Sequence, residues 1–122
     1  MAKNILIVDD SQLIRKKLRA MLQGFSTWHV CGEAVNGRDA ISQAQRLAPD
    51  LVVLDLSMPI MNGLEAAREL KRLNPAIQLL MFTTFKTDHF EKEATAAGCS
   101  AVLSKTDPPK LLLGAIHRLL HS

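Results

Sequence analysis

This 122-residue sequence predicts an α/β fold: a doubly wound, five-stranded parallel sheet in which each strand is followed by a helix. Three observations carry the prediction. Five short apolar runs alternate with longer stretches of helical spacing. Runs such as Ile5-Leu6-Ile7-Val8 and Leu51-Val52-Val53-Leu54 are continuously apolar, as parallel strands covered by helices on both faces should be. Gly, Asn and Pro fall at the expected joints.

The first strand spans Asn4 to Val8, and the helix after it shows Ile14, Leu18, Met21, Leu22 and Phe25 on one face, with Asp10 or Ser11 available as N-cap. Trp28 to Glu33 forms the second strand. Asn36-Gly37 opens the second helix, Ala40, Ile41, Ala44 and Leu47 line its inner face, and Pro49 closes it. The third strand is Leu51 to Leu54. Its helix runs from Asn62-Gly63 to Pro75 with Leu64, Ala67, Leu70 and Leu73 inward. Ile77 to Phe82 is the fourth strand, followed by a weakly apolar helix in which only Phe90, Ala94 and Ala97 recur on one side of Lys86 to Ala97. Ala101 to Leu103 is the fifth strand. Asp107 and Pro108 read as N-cap and first residue of the last helix, whose inner face is Leu112, Ala115, Ile116 and Leu119.

Right-handed crossovers make a (βα)5 sheet the natural assembly, with strand order 2-1-3-4-5 if the fold is flavodoxin-like. With 48% hydrophobic residues the chain is long enough to bury about two thirds of its unfolded surface around one core, so residues 1–122 are expected to form one domain. No apolar run approaches the roughly 18 residues of a membrane span, and the first residues enter a strand pattern without a signal-peptide layout. A cytoplasmic protein without membrane contact is expected.

Cys31 and Cys99 lie in separate segments, neither a disulfide framework nor a metal pair, and read as reduced, small core residues. The net charge of +3 is partly concentrated in Arg15, Lys16, Lys17 and Arg19, which read as a solvated helix face more simply than as a nucleic-acid footprint. At 4% aromatic residues and no Tyr, base-stacking platforms are not expected. His117 and His121 share an i, i+4 spacing but read as solvated, and Met58 and Met61 around Pro59 as loop packing.

In open α/β sheets, sites form beyond the carboxyl ends of the strands. Here those ends carry Asp9 and Asp10 on strand one, Asp55 on strand three, Thr83 and Thr84 on strand four, and Ser104 and Lys105 on strand five. Singly, an Asp after a strand serves equally well as a helix N-cap, and a lone Lys as a solvated charge. Together they converge on one pocket, where three carboxylates repel one another unless a cation is shared. With no His or Cys in the set, Mg²⁺ is the matching ion and Mn²⁺ a substitute. A carboxylate so placed can accept a phosphoryl group, with Lys105 and the Thr83 hydroxyl pairing the phosphoryl oxygens.

These residues lie in Ile7-Val8-Asp9-Asp10-Ser11, Leu54-Asp55-Leu56-Ser57-Met58-Pro59 with Asn62-Gly63, Met81-Phe82-Thr83-Thr84 and Leu103-Ser104-Lys105. On these motifs the chain resembles the response-regulator receiver family of two-component signalling over essentially its whole length. The resemblance implies phosphorylation of Asp55 by a sensor histidine kinase, with the metal held by Asp10, Asp55 and the backbone carbonyl of Ser57, Asp9 assisting through water, and Thr83 and Lys105 reading the phosphate. It also implies that helix four, strand five and helix five form the output face, with homodimerisation on phosphorylation, and that the first helix is the kinase-docking side. Asp50 to Leu73 and Ala97 to Leu120 look most like receivers that precede a LuxR-type DNA-binding domain. DNA contact is then expected only through such an output domain, for which the residues after the fifth strand are too few; both a stand-alone receiver and part of a longer regulator fit.

Two positions depart from the family pattern. Val102 stands where an aromatic switch residue is usual, so the switch needs another lever. Thr106 replaces the proline after Lys105, and a cis bond there would cost about 2.5 to 4 kcal/mol. Phe85, apolar at the rim, is expected to shield an acyl phosphate from water. Three rivals fit less well. A haloacid-dehalogenase-type phosphatase needs a second Asp where Ser57 stands. A flavodoxin-like electron carrier would meet repulsion from Asp9 and Asp10. A pseudo-receiver acting only as a protein-binding module normally lacks part of the acid, Thr and Lys set, which is complete here.

Overall fold

The computed structural model describes residues 2–121. Strands β1 (Lys3–Val8), β2 (Trp28–Ala34), β3 (Leu51–Leu54), β4 (Gln78–Thr83) and β5 (Ala101–Ser104) alternate with helices α1 (Gln12–Leu22), α2 (Gly37–Leu47), α3 (Gly63–Leu73), α4 (Asp88–Ala96) and α5 (Pro109–His121). All strand pairs are parallel and the order is β2-β1-β3-β4-β5, the flavodoxin-like arrangement. No helix among the described residues is long and apolar enough to cross a membrane.

The sheet divides the core into two layers. Leu6, Val8, Val52, Leu54 and Met81 pack towards Ala40 of α2, Ala66, Ala67 and Leu70 of α3, and Phe90 and Ala94 of α4. Ile5, Ile7, Leu51, Val53 and Leu80 point the other way, onto Leu18 and Leu22 of α1 and Leu112, Ala115 and Ile116 of α5. Alternation along each strand therefore feeds both layers, which explains why the strands read as unbroken apolar runs.

Strand β2 departs from this alternation. Ile5 pairs with Val30 but Leu6 with Gly32, so Cys31 is the extra residue of a β-bulge. Trp28 and Val30 face the α1 layer; Cys31, Gly32 and Ala34 face the α2 layer; and Glu33, opposite Ile7, returns to the α1 side.

The amino ends of the inner strands are stitched together. Asp50 N donates to Asn4 O at 2.8 Å, Asn4 N to Asp50 Oδ2 at 2.7 Å, and Gln78 N to Asp50 O at 3.1 Å. Ser100 N then donates to Leu79 O at 2.8 Å, while Ser100 Oγ donates to Gln78 Oε1 at 2.7 Å.

Several sequence expectations need correction. Of the two N-cap candidates for α1, Ser11 takes the place, its hydroxyl accepting from Ile14 N. Helix α5 begins at Pro109 rather than Pro108, because the Asp107 carboxylate turns back to accept from Ser104 N at 2.9 Å. Phe25 lies beyond α1 and packs on Trp28, ring centroids 4.6 Å apart. His121 is not merely solvated: its Nε2 accepts the indole N–H of the buried Trp28 at 2.8 Å. Arg15 and Arg19 are partly buried ion-pair partners of Glu33, while Lys16 and Lys17 between them are exposed. The Lys105–Thr106 peptide is trans. Both cysteines are free thiols; Cys99 is buried, which pushes its thiol up to about 12, and Cys31 is half-buried with Sγ donating to Ile5 O.

Candidate functional site

The carboxyl ends of β1, β3, β4 and β5 meet at one edge of the sheet. Asp9 follows β1 at 2% exposure and Asp55 follows β3 at 6%, while Asp10 is exposed beside them. One carboxylate oxygen from each of Asp9, Asp10 and Asp55 lies within 4.8 Å of the others, a grouping that no other acids, His or Cys of the described residues form. Lys105 enters from the loop after β5, its Nζ 2.7 Å from Asp9 Oδ2 and 3.1 Å from Asp55 Oδ2.

Backbone geometry fixes each acid. Asp9 N donates to Ala34 O at 3.1 Å and Asp55 N to Val8 O at 3.0 Å, carrying the sheet ladder one residue past the strands. Asp9 Oδ1 accepts from Ser11 N at 2.9 Å and Asp55 Oδ1 from its neighbour Leu56 N at 2.8 Å. The β3–α3 loop is held down from the helix side. Asn62 and Glu65 close a capping box on α3, and Gly63 N donates to Leu56 O at 2.9 Å. That approach requires glycine: a Cβ on Gly63 would stand 2.1 Å from the carbonyl oxygen of Asp55.

One ammonium facing three carboxylates leaves the pocket short of positive charge. Burial pushes the Asp55 carboxyl above the usual range, the hydrogen bond and charge of Lys105 pull it back, and the charge of Asp9 adds to the rise. Burial opposes the Lys105 ammonium, yet its hydrogen bonds to Asp9 and Asp55 and their charges outweigh that and raise it above an ordinary lysine.

Thr83 is fully buried, and its Oγ1 accepts from Phe85 N at 3.2 Å. Its carbonyl accepts from Lys105 N at 3.0 Å, tying the ends of β4 and β5 together. Ser57 is exposed, and with Leu56, Met58, Asn62 and Phe85 it lines a shallow cleft beside Asp55. Asp9, Asp10, Asp55 and Lys105 are thus brought together, with Thr83 at the end of β4 and Ser57 on the β3–α3 loop beside them. Sequence reasoning missed Arg15 and Glu33. Arg15 Nη1 donates to Asp9 O at 2.8 Å while its Nε donates to Glu33 Oε1 at 2.9 Å.

Residues 5–117 match the family model of the response regulator receiver domain. The chain belongs to that family. The chemotaxis protein CheY of Thermotoga maritima is 31% identical over 119 residues, covering 98% of both chains. A protein-glutamate methylesterase/protein-glutamine glutaminase of Alkalilimnicola ehrlichii is 40% identical over 82% of this chain, which spans only 26% of that protein. Among solved structures, a LuxR-family two-component response regulator from Aurantimonas sp. superposes with a TM-score of 0.94 at 30% identity, covering 98% of this receiver and 86% of that chain. Receiver domains are in general signalling modules rather than enzymes, they bind Mg²⁺ at an acidic pocket, and they interact with histidine kinases and phosphotransfer partners. In this receiver Asp9, Asp10 and Asp55 form an acidic cluster at the sheet edge.

Proposed function

We propose that residues 1–122 form one cytoplasmic receiver domain that takes a phosphoryl group onto Asp55 from a phosphohistidine of a sensor histidine kinase. The observation that carries this is the single Lys105 ammonium lying within hydrogen-bond reach of both Asp9 and Asp55 in a three-carboxylate cluster. A carboxylate oxygen of Asp55 forms the new bond to phosphorus as the phosphorus–nitrogen bond of the donor breaks and the imidazole leaves. Lys105, already 3.1 Å from Asp55 Oδ2, offers its charge to the phosphoryl oxygens.

The donor set is all hard oxygen, without His or Cys, and carries more negative charge than Lys105 offsets, so it fits Mg²⁺, with Mn²⁺ as a substitute. Asp10, Asp55 and the Ser57 carbonyl would hold the ion, with Asp9 beside them. When bound it supplies neutralising charge for the carboxylates and the transferred group.

Thr83 gives the switch its lever. To bond the phosphoryl group its hydroxyl turns from the Phe85 amide, releasing the loop that leads into α4. Val102, small and buried, has no ring to flip, so the movement passes through this loop rather than through a side-chain rotation on β5. Acquiring roughly −1.5 to −2 charge on phosphorylation then shifts α4, β5 and α5 between two packings. That face serves homodimerisation and, in a longer regulator, a DNA-binding output domain that controls transcription.

The test is incubation with acetyl phosphate and Mg²⁺ followed by intact mass. A gain of about 80 Da is expected, for one phosphoryl group, and none for Asp55→Asn. No gain in the wild type rejects the reading and favours a protein-binding module that is never phosphorylated.

A further inference from the structure

We infer that Arg15 and Glu33 are positioning residues for the metal site: Glu33 holds Arg15, and Arg15 holds the peptide plane that sets where Asp10 stands. This rests on the acidic pocket being the Mg²⁺ site proposed above.

The hydrogen bonds around the turn after β1 fall on Asp9. Its N–H is fixed by Ala34, its Oδ1 by Ser11 and its Oδ2 by Lys105. Asp10 is exposed, so its carboxylate is placed chiefly by its backbone. That backbone begins at the Asp9 carbonyl, because the Asp9 C=O and the Asp10 N and Cα share one rigid plane. The atom that fixes this plane from outside is Nη1 of Arg15, at 2.8 Å from Asp9 O.

Arg15 is itself held. Its side chain is 13% exposed, the most buried of the α1 cations in ion pairs, and its Nε lies 2.9 Å from Glu33 Oε1. A guanidinium can reach both partners because its donors diverge from one rigid fork. Glu33 arrives on this side only because of the Cys31 bulge. In a regular strand, residues an odd number of steps from Val30 face the other layer, and Glu33 would point to α2. The extra residue reverses that parity and sets the carboxylate against α1. Arg19 shares Glu33 through Oε2 at 2.7 Å, and among the described residues its side chain hydrogen-bonds to Glu33 alone.

The sign of one substitution separates positioning from simple charge. Arg15 is a cation beside a cation site, so by field alone its removal would tighten Mg²⁺ binding. Loss of positioning would weaken it.

Isothermal titration of the purified chain with MgCl₂ gives the dissociation constants, and melting in EDTA checks that each variant is folded. Arg15→Ala and Glu33→Gln are expected to bind Mg²⁺ roughly tenfold more weakly, the lower end of what outer-shell partners of metal ligands cost. Arg15→Lys, which keeps the charge but cannot span both partners, is expected to fall between Arg15→Ala and wild type. Arg19→Ala is expected to bind as wild type does. Unchanged or tighter binding by Arg15→Ala overturns the inference, as does an equal loss in Arg19→Ala. A wild-type chain that binds no Mg²⁺ at all instead brings down the metal-site reading on which the inference stands.

Discussion

Replacing Gly63 with alanine would put a methyl group where the receiver has no room for one. The added carbon would lie 2.1 Å from the Asp55 carbonyl oxygen and 2.9 Å from both the Asp55 carbonyl carbon and the Leu56 Cα. All three are backbone atoms, so no side chain can rotate away; the loop after Asp55 or the start of α3 has to move. Overpacking costs typically 1–3 kcal/mol, and with backbone as the obstacle we expect about 3 kcal/mol. Gly114 supplies the control, since nothing lies within 4 Å of a Cβ built there, midway along α5. Gly114→Ala should gain about 0.8–1 kcal/mol from helix propensity alone. Urea denaturation of both variants, compared by midpoint at equal m-value, measures the two changes with opposite sign. Gly63→Ala should also slow acetyl-phosphate labelling, because the loop that yields carries Asp55. A Gly63→Ala midpoint within about 0.5 kcal/mol of wild type, a surface-like effect, would refute the close-approach argument.

Asp55→Asn should raise stability in EDTA at pH 7. The folded carboxyl lies above its unfolded value, so the native state binds the proton more tightly and the charged group costs stability at high pH; the gain should shrink as pH falls towards 3.8, and a gain independent of pH contradicts the assignment. Phe85 is 56% exposed at the cleft beside Asp55, and Phe85→Ser should shorten the half-life of the phosphorylated form, an unchanged half-life ruling out shielding. Cys99, its thiol pushed up to about 12 by burial, should react with a disulfide reagent at pH 8 only on unfolding, which a thiol count with and without urea will show.

The fold was legible because burial on both faces leaves so plain a mark. Leu51–Leu54 is apolar throughout and buried throughout, and its bounds in the structure are those of the sequence. The gathering of the candidate residues was legible for a related reason: a parallel sheet delivers all its carboxyl ends to one edge, so Asp9, Asp55, Thr83 and Lys105 needed only to be read in order. Contacts that depend on a break in regularity left no such mark. The bulge at Cys31 is invisible in a run that reads Val30-Cys31-Gly32-Glu33, and with it went the face of Glu33 and the true environment of Arg15 and Arg19. Asp107 has the local chemistry of an N-cap, but the nearby Ser104 amide claimed its carboxylate. Trp28 and His121 are far apart in sequence, and nothing in either segment signals that one will accept a hydrogen bond from the other.

The hydrogen bonds that join Asn4, Asp50, Gln78 and Ser100 all lie at the end of the sheet away from the acids. The acid end carries its own backbone ties, Asp9 N to Ala34 O, Asp55 N to Val8 O and Lys105 N to Thr83 O, so the sheet is fastened at both extremities and the freedom left over belongs to the loops beyond them. A phosphoryl group taken up at Asp55, as proposed, would then be answered by those loops and by α4, while a register fixed at both ends of the sheet stays as it is.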